Sequence, residues 1–392
     1  MKRFLDFQFQ KEVKLLPLSL NQSFRAIATS LLYLFSTIYV YKIFFSLTGQ
    51  VKTALLGLFV YSLTMHVSKL VTNLVAEEWS LKFGLKKQIY LGLLFLVFCS
   101  LALMGAADKP LLLVVAAVFW GMAIGFYWFG RHGLMAKIGR SDAFGKELGI
   151  VNGINTLFLL GTPFLGGLLI NFAGYRTLFL VSLFFVLLAA LAIRPLKEEK
   201  THYDTSLTEV LNLFRTHKKM VLAYIGHSAR GVICTMVWPL YLFLILKKEL
   251  SLGEFFSLSM ILVALLDLLI GRWVDLRGKK APLVYGSLFQ SLTLMGRALT
   301  SKVSVLFIFD IIDRITGGMV GIPLSVLSYE KAINGYSTGR ATLFREIAIT
   351  LGDICGDCFL ILVILLGGGF GTIFFLAAFA SLSPLLIVKK HG

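Results

Sequence analysis

The sequence predicts an all-α integral membrane protein with twelve transmembrane helices in two pseudo-symmetric six-helix bundles. First, 57% of its 392 residues are hydrophobic and 15% are charged, with a mean hydropathy of +0.82. A soluble domain holds roughly 45–50% apolar and about 25% charged residues. Second, apolar segments recur at the length that crosses a bilayer, and third, the two halves of the chain share a pattern of residues. The composition alone excludes an ordinary soluble domain.

Twelve segments have the ~20 apolar residues that a helix needs to cross a ~30 Å hydrocarbon core. We number them spans 1 to 12, at 20–45, 52–76, 88–107, 111–131, 147–171, 175–194, 219–246, 254–271, 282–300, 303–328, 342–366 and 370–388. A polar stretch with an amphipathic piece separates spans 6 and 7. The predicted organisation is therefore an N-terminal bundle over 1–195, a cytoplasmic linker over 196–218 and a C-terminal bundle over 219–392.

The basic residues indicate how the chain is oriented. Lys and Arg number 38 against 21 Asp and Glu, a net charge of +17, and most of them fall in the loops on the side of the two termini and the linker. By the positive-inside rule both termini are cytoplasmic in a multi-pass protein of the cytoplasmic membrane. Charge spread over short loops excludes a nucleic-acid groove. The first 17 residues place apolar side chains on one helical stripe, which predicts an interfacial helix.

An internal repeat relates the two halves. A shift of 194 residues superposes Trp79 on Trp273, Gly84 on Gly278, Lys86 on Lys280 and Gly92 on Gly286, and a shift of 196 superposes Gly121 and Gly125 on Gly317 and Gly321. Trp, Gly and Lys coincide in one short loop, which chance rarely produces. Such a duplication is typical of transporter folds.

Two motifs carry a family resemblance. The loop Gly271-Arg-Trp-Val-Asp275-Leu-Arg-Gly278-Lys279-Lys280 resembles the loop signature of the major facilitator superfamily. The first-half copy keeps Gly84, Lys86 and Lys87 but has Leu81 in place of the Asp. Gly161-Thr-Pro163-Phe-Leu-Gly166-Gly167 is similar to the family's helix 5 motif, with Thr162 at its second Gly. The resemblance implies a secondary transporter that works by alternating access, with spans 1, 4, 7 and 10 around a central cavity. The helix 5 motif slightly favours efflux.

The loop motif also has a physical interpretation as a cytoplasmic gate. Asp275 can accept hydrogen bonds from a helix N-terminus or from a basic partner, and so form a latch that opens and closes with the two halves. Arg131 is a candidate partner for Glu77 and Glu78, and Glu330 for Lys279 and Lys280. The predicted gate residues are Gly271, Asp275, Gly278, Lys279, Lys280, Gly84, Lys86, Lys87, Arg131 and Glu330. The alternative is a solvated basic loop.

Charged residues at membrane depth are candidates for substrate binding and proton coupling, because such groups usually face an aqueous cavity or a partner. Arg230, Asp313 and Asp353 lie about 14 to 16 Å into their helices, near the midplane. Asp310 and Arg314 have the i,i+4 spacing of an ion pair, which leaves Asp313 in need of another partner. Given the resemblance, we expect an Asp313–Arg230 pair across the cavity. The alternative is a fixed structural pair that joins spans 7 and 10.

Span 11 places Glu346, Asp353 and Asp357 on one stripe. The last two lie about 6 Å apart and cannot both ionise cheaply at low dielectric, so they form a candidate proton carrier. His66 and His227 are further titratable candidates, or else hydrogen-bonded packing residues. We expect Lys69 and Arg297, near the predicted helix ends, to extend towards the interface as structural residues.

The predicted function is proton-coupled transport of a small molecule, with an amphiphilic substrate favoured, by a monomer surrounded by lipid. No nucleotide, metal or hydrolase motif is present, so we expect no cofactor, no metal and no enzymatic activity. Cys355 and Cys358 could bind a soft metal, but small apolar filler is the preferred interpretation. The alternative functions are an uncoupled facilitator, a lipid flippase, and a sensor or scaffold that has lost transport.

Overall fold

The computed structural model describes residues 2–138, 158–200, 207–277, 280–333 and 338–388. Side chains are described for 16–135, 158–200, 208–263, 280–321, 323, 324, 340 and 342–388. The described chain is all-helical, without a strand, as the sequence predicts. Hydrocarbon offers no hydrogen-bond partner to a bare backbone, so long apolar segments satisfy their amides within helices.

The described residues of the N-terminal half form five helices: α1 (Lys2–Thr48), α2 (Val51–Phe83), α3 (Leu85–Gly105), α4 (Leu112–Ile138) and α5 (Thr162–Ala192). The first part of span 5 lies outside the described residues. Helix α5 contains most of the described part of span 5 and nearly all of span 6, and the chain turns inside it at Gly174. That residue has φ 76° and ψ 177°, a conformation that glycine adopts without a Cβ penalty.

Helix α1 runs without a break from Lys2 to Thr48, through Pro17. The predicted amphipathic N-terminal segment is therefore the first part of α1 rather than a separate element. Its location at the membrane interface stays a prediction.

The linker contributes α6 (Leu207–Thr216), and the C-terminal half follows with α7 (Lys218–Val232), a π-helical turn (Ile233–Val237), α8 (Trp238–Leu246), α9 (Glu249–Arg277), α10 (Lys280–Leu299), α11 (Val303–Ile333), α12 (Thr338–Leu365), α13 (Phe370–Ala380) and α14 (Leu385–Val388). Span 7 thus consists of α7, the π-helical turn and α8 in direct succession, and span 12 consists of α13 and α14. Within the described residues, eight helical segments are long and apolar enough to cross a membrane, counting each of these two composites once. Helices α9, α10 and α11 match spans 8, 9 and 10.

Equivalent glycines pack in equivalent ways in the two halves. A methyl group at Gly92 of α3 would lie 2.7 Å from the backbone nitrogen of Tyr127 on α4. At Gly286 of α10, it would lie 3.0 Å from the Cβ of Met319 on α11. Both helix pairs therefore approach closely at a position where the repeat conserves glycine, in agreement with the internal duplication.

The two halves meet closely at the end of the bundle where α1 ends, which we call the far end. A methyl group at Gly167 of α5 would lie 2.6 Å from the backbone oxygen of Glu249, and one at Gly253 of α9 would lie 2.3 Å from the backbone oxygen of Pro163. Glu249 also accepts from the amine of Lys42 and from the hydroxyl of Tyr175 at 2.9 Å. Backbone contact and an ion pair thus close the far end.

We predict that Gly167→Ala destabilises the protein, whereas Gly161→Ala does not. The added methyl group at 167 must displace backbone atoms of α9, and overpacking of this kind costs about 1–3 kcal/mol. At Gly161 the same methyl group meets nothing within 4 Å, and its backbone is in the right-handed region. Thermal melting of both purified variants in detergent measures the difference, and equal melting temperatures would contradict the close approach.

Candidate functional site

A cavity of about 490 Å³ lies between the two halves. Helices α1, α2 and α4 line it from the N-terminal half, and α7, the π-helical turn and α12 line it from the C-terminal half. Its walls include Gln22, Arg131 and Arg345, which lie towards the linker ends of their helices, and Tyr33 and Asp353, which lie deeper. A volume of this size suits a small-molecule ligand.

The π-helical turn forms part of the cavity wall. The amide of Trp238 donates to the carbonyl of Ile233, five residues earlier, and Pro239 follows with no N–H to donate. This interrupted ladder of hydrogen bonds widens the helix where Thr235 and Met236 face the cavity. Single π turns in α-helices are frequent at functional sites.

Four side chains form an ion cluster across the boundary between the halves, which we call the interhalf cluster. His66 and Lys69 come from α2, and Asp353 and Asp357 come from α12. The Nδ1 of His66 lies 2.6 Å from Oδ2 of Asp357, and Nζ of Lys69 donates to Oδ2 of Asp353 at 2.8 Å. Nε2 of His66 lies 3.9 Å from the same Asp353 oxygen, so the imidazole stands between the two carboxylates.

Neighbouring polar contacts strengthen this boundary. Ser228 of α7 donates its hydroxyl to Oδ1 of Asp353, and Asn73 of α2 donates to Oγ1 of Thr350 on α12 at 3.1 Å. Asp357 is fully buried. His66, Lys69 and Asp353 line the cavity, so water in the cavity reaches the cluster from one side.

The expectation that Lys69 extends to the interface is wrong. Helix α2 continues to Phe83, beyond the predicted end of span 2, so Lys69 lies about 21 Å from that end. Its ammonium is buried and pairs with Asp353. His66 likewise bonds a carboxylate, which the packing alternative does not require.

A second ion cluster lies inside the C-terminal half, and we call it the C-half cluster. Arg230 of α7 pairs with Asp313 of α11, and Nη1 of Arg297 lies 3.1 Å from the other oxygen of Asp313. Arg314 donates from Nε to Asp310 at 2.7 Å, the i,i+4 contact that the sequence predicts. None of the five lines the described cavity, so the Arg230–Asp313 contact joins two helices of one bundle rather than crossing the cavity.

The expectation for Arg297 is also wrong. Its side chain is 1% exposed, and its guanidinium lies 3.9 Å above the ring of Trp238. The indole of Trp238 in turn donates to Asp310 at 2.8 Å. Arg297 points inward because two carboxylates and the face of an aromatic ring lie next to its guanidinium. These groups stabilise the positive charge better than the membrane interface would.

The cavity wall on the linker side carries further charges. Arg345 donates to Oε1 of Glu346 at 2.9 Å, and Nε2 of His132 lies 3.2 Å from Nη1 of Arg345. Arg131 donates to the amide oxygen of Gln22. The sequence did not identify Gln22, His132 or Arg345 as candidate site residues. The available signal was their position, because each lies beside a charged residue, or within one helical turn of one, at the linker end of its helix.

Several predicted residues lie elsewhere. His227 is partly buried and does not line the cavity, and its Nδ1 has no hydrogen-bond partner among the described residues. Glu78 pairs with Lys82 of its own helix at 2.7 Å. The side chains of Gly271, Asp275, Gly278, Lys279 and Glu330 lie outside the described residues, and Lys280 is exposed at the start of α10. The gate roles of these residues, and of Arg131, stay predictions.

A carboxylate from the linker caps the helix that follows the first-half copy of the loop motif. Oε1 and Oε2 of Glu198, in the linker, accept from the backbone amides of Lys86 at 2.8 Å and Lys87 at 3.1 Å. These amides belong to the first turn of α3, where a negative charge is favourable. A methyl group at Gly84 would lie 2.2 Å from Oε1 of Glu198, so the glycine makes room for this cap.

In the span 5 motif, Gly166 and Gly167 both allow close packing. A methyl group at Gly166 would lie 2.3 Å from the ring of Phe35 on α1, and Gly167 meets α9 as described above. Pro163 occupies the first turn of α5, where a missing N–H costs nothing. Gly161 precedes this turn in open space.

A sequence profile of the Major Facilitator Superfamily matches residues 18–352. The chain belongs to this superfamily. No curated protein sequence matches it. This superfamily member has the fold of a multi-pass membrane transporter. The helices, the cavity and the duplicated halves of the protein agree with that fold.

Solved structures share this fold. The xylose transporter XylE from E. coli, in a partially occluded inward-open conformation, superposes with a TM-score of 0.75 at 11% identity, over 97% of this chain and 98% of that one. An auto-inhibited POT family peptide transporter gives 0.75 at 9% identity, over 97% of each chain. The fucose:proton symporter FucP of E. coli gives 0.67 at 13% identity, over 97% of this chain and 100% of that one.

We predict that Asp353→Asn and Lys69→Met each lower the thermal stability strongly, and that the double variant recovers much of the loss. Each single change leaves a buried charge without its main partner, which costs about 3–5 kcal/mol. The double change removes both charges together. Melting of the purified variants in neutral detergent tests this.

The exposed Glu78–Lys82 pair is the matched control. Glu78→Gln should melt close to the wild-type temperature, because solvent screens the exposed pair. If the single and double variants of Lys69 and Asp353 melt additively, the two side chains do not interact as the structure places them.

Proposed function

We propose that this protein is a proton-coupled secondary transporter that carries a small amphiphilic molecule across the cytoplasmic membrane by alternating access. Membership of the superfamily supports membrane transport, and the interhalf cluster supports the coupling. It joins His66 and Lys69 on one half to Asp353 and Asp357 on the other, beside the central cavity. The proposed transporter functions as a monomer, with both termini in the cytoplasm.

The cluster links a proton to a conformational change because its ion pairs cross the boundary between the halves. When two rigid halves rock, contacts between α2 and α12 must lengthen. Separation of a buried ion pair is costly at low dielectric, but protonation of the carboxylate removes most of that cost. A proton on Asp353 or Asp357 therefore favours the separated arrangement, and its release favours the paired one.

The route of the proton follows from burial. Asp353 lines the cavity, whereas Asp357 is fully buried behind it. His66 contacts both, with one ring nitrogen directed to each carboxylate. We assign Asp353 as the entry group, His66 as the relay and Asp357 as the internal carrier.

The C-half cluster has a different role in this proposal. Arg230, Arg297 and Arg314 share Asp310 and Asp313 within one bundle, so rocking of the halves leaves their distances unchanged. We assign it the stabilisation of α7, α10 and α11. The span 5 motif is the support for efflux as the direction.

We predict that Asp357→Asn uncouples transport. Proteoliposomes that contain the dye pyranine report proton movement when an amphiphilic solute is added, and solute uptake is measured in parallel with and without a pH gradient. Wild type should accumulate solute against its gradient and move protons with it. Asp357→Asn should equilibrate solute without proton movement, because the internal carrier is missing.

Asp108→Asn, which changes an exposed carboxylate, is the control and should behave as wild type. Gradient-driven accumulation by Asp357→Asn would remove this residue from the mechanism. Wild-type flux that is independent of the pH gradient would indicate an uncoupled facilitator. Binding without flux would indicate a sensor.

We predict that Asp313→Asn and Arg230→Gln lower stability but leave the ratio of protons to solute unchanged. Each breaks a buried pair, at about 3–5 kcal/mol, inside a half that moves as one body. Melting and the pyranine assay measure the two effects on the same preparations. An altered ratio in folded protein would show that the C-half cluster takes part in coupling, as the sequence-based hypothesis states.

A further inference from the structure

One histidine of the cavity wall contacts the opposite half and has no place in the proposed proton route. His132 lies on α4 and lines the cavity together with Arg345 and Glu346 of α12. Its imidazole stacks on the ring of Trp128, one turn earlier on α4, with the ring centres 5.3 Å apart. The side chain is buried, so this stack holds the imidazole against α12.

The contacts of His132 identify which ring nitrogen carries the proton. Nη1 of Arg345 lies 3.2 Å from Nε2 of His132 and donates to Oε1 of Glu346 at 2.9 Å. A guanidinium donates hydrogen bonds and never accepts them, so Nε2 must be the acceptor. His132 is therefore neutral in this arrangement, with its proton on Nδ1, and one guanidinium nitrogen bonds to both halves of the protein.

A proton on Nε2 would turn this attraction into repulsion. Nε2 would lose its lone pair, and two positive groups would face each other at 3.2 Å. The compensating oxygen, Oε1 of Glu346, lies further from Nε2, at 3.9 Å, and already accepts from Arg345. Coulomb energies vary inversely with distance, so the repulsion outweighs the attraction as long as α4 and α12 stay in contact.

Further charged groups lie at the same end of the helices that pack around His132. They are Arg25 of α1, Glu77 and Glu78 of α2, Lys86 and Lys87 of α3, and Arg131 of α4 itself. Together with the two residues of α12, the basic groups outnumber the acidic ones among the described side chains. A proton on His132 therefore enters positive surroundings, which adds to the repulsion from Arg345.

We propose that His132 is a pH sensor for the linker side of the cavity. The neutral imidazole holds α4 to α12 through Arg345, and the protonated one repels Arg345 and favours separation of the halves. By linkage, the separated arrangement binds this proton more tightly, so acid on the linker side holds the cavity open to that side. This regulation rests on the proposed alternating access. It does not need the interhalf cluster, since Asp353 lies about 10 Å further along α12 than Glu346.

The test measures the separation of the halves at the linker side as the pH changes. Spin labels are attached through p-acetylphenylalanine in place of Lys82, near the end of α2, and Lys280, at the start of α10, both of which are exposed. Pulsed electron–electron double resonance then reports their distance in the purified protein in neutral detergent. The population with the longer distance should grow severalfold from about pH 8 to about pH 5, a range in which imidazole changes its charge.

His132→Gln separates this sensor from the interhalf cluster. Glutamine can still accept from Arg345 but does not titrate, so the variant should lose the larger part of the pH response, whereas His66→Gln should retain the larger part. The matched control is His217→Gln, which changes a histidine at the same end whose Nδ1 lies 2.8 Å from the hydroxyl of Thr216. It should respond as wild type. A full response in His132→Gln, or a distance that is constant with pH in wild type or in His66→Gln, would overturn the proposal.

A second variant should reverse the sign of the response, which a purely structural role does not predict. Arg345→Gln removes the cation that repels protonated His132 and leaves Glu346 as the partner of the imidazolium. Combined with His66→Gln, which removes the relay of the interhalf cluster, it should make acid shrink the population with the longer distance. Continued opening at low pH would show that repulsion from Arg345 is not the cause, and the proposal would be wrong.

The pyranine assay tests the proposed function separately. Wild-type protein that moves no protons but loses its distance response in His132→Gln would overturn the proton coupling and leave the sensor standing. Proton-coupled transport with an unchanged distance response in His132→Gln would overturn the sensor and leave the proposed function standing.

Discussion

A charge inside a bilayer needs a counter-charge, and this constraint organises the interior of the molecule. The C-half cluster satisfies it within one bundle, where Asp310 and Asp313 serve three arginines. The interhalf cluster satisfies it between bundles, with His66 and the ammonium of Lys69 on α2 and carboxylates on α12. The same electrostatic rule therefore has two consequences: rigidity where both partners belong to one body, and sensitivity to protonation where they belong to two.

The two ends of the boundary between the halves are built differently. At the far end, Gly167 and Gly253 remove side chains so that backbones of α5 and α9 touch. Towards the linker, long polar side chains such as Arg131 and Arg345 surround a cavity instead. Backbone contact is short-ranged and is lost after a small separation, whereas long side chains remain in reach over several ångströms. A rocking motion would therefore break contacts abruptly at one end and gradually at the other.

The sequence predicts the fold well because apolar length and the repeat are local or periodic signals. It also predicts the Asp310–Arg314 contact, since both residues lie on one helix. It fails for Lys69 and Arg297, because depth along a helix does not reveal which neighbouring helix supplies a carboxylate at that level. The cavity lining depends in the same way on packing between helices, so the sequence gives no signal that Gln22 and His132 lie in its wall. The separate N-terminal helix is absent because α1 continues through Pro17.

The cap that Glu198 provides to α3 bears on how the two copies of the loop motif diverged after duplication. Leu81 stands where the motif has an acid, yet the first turn of α3 still receives a carboxylate, from a segment that the duplicated unit did not contain. The first turn of α3 therefore does not depend on an acid at position 81, whereas the second copy carries Asp275 within the motif itself. A motif that is incomplete in the sequence of one half can thus be completed in three dimensions by the linker.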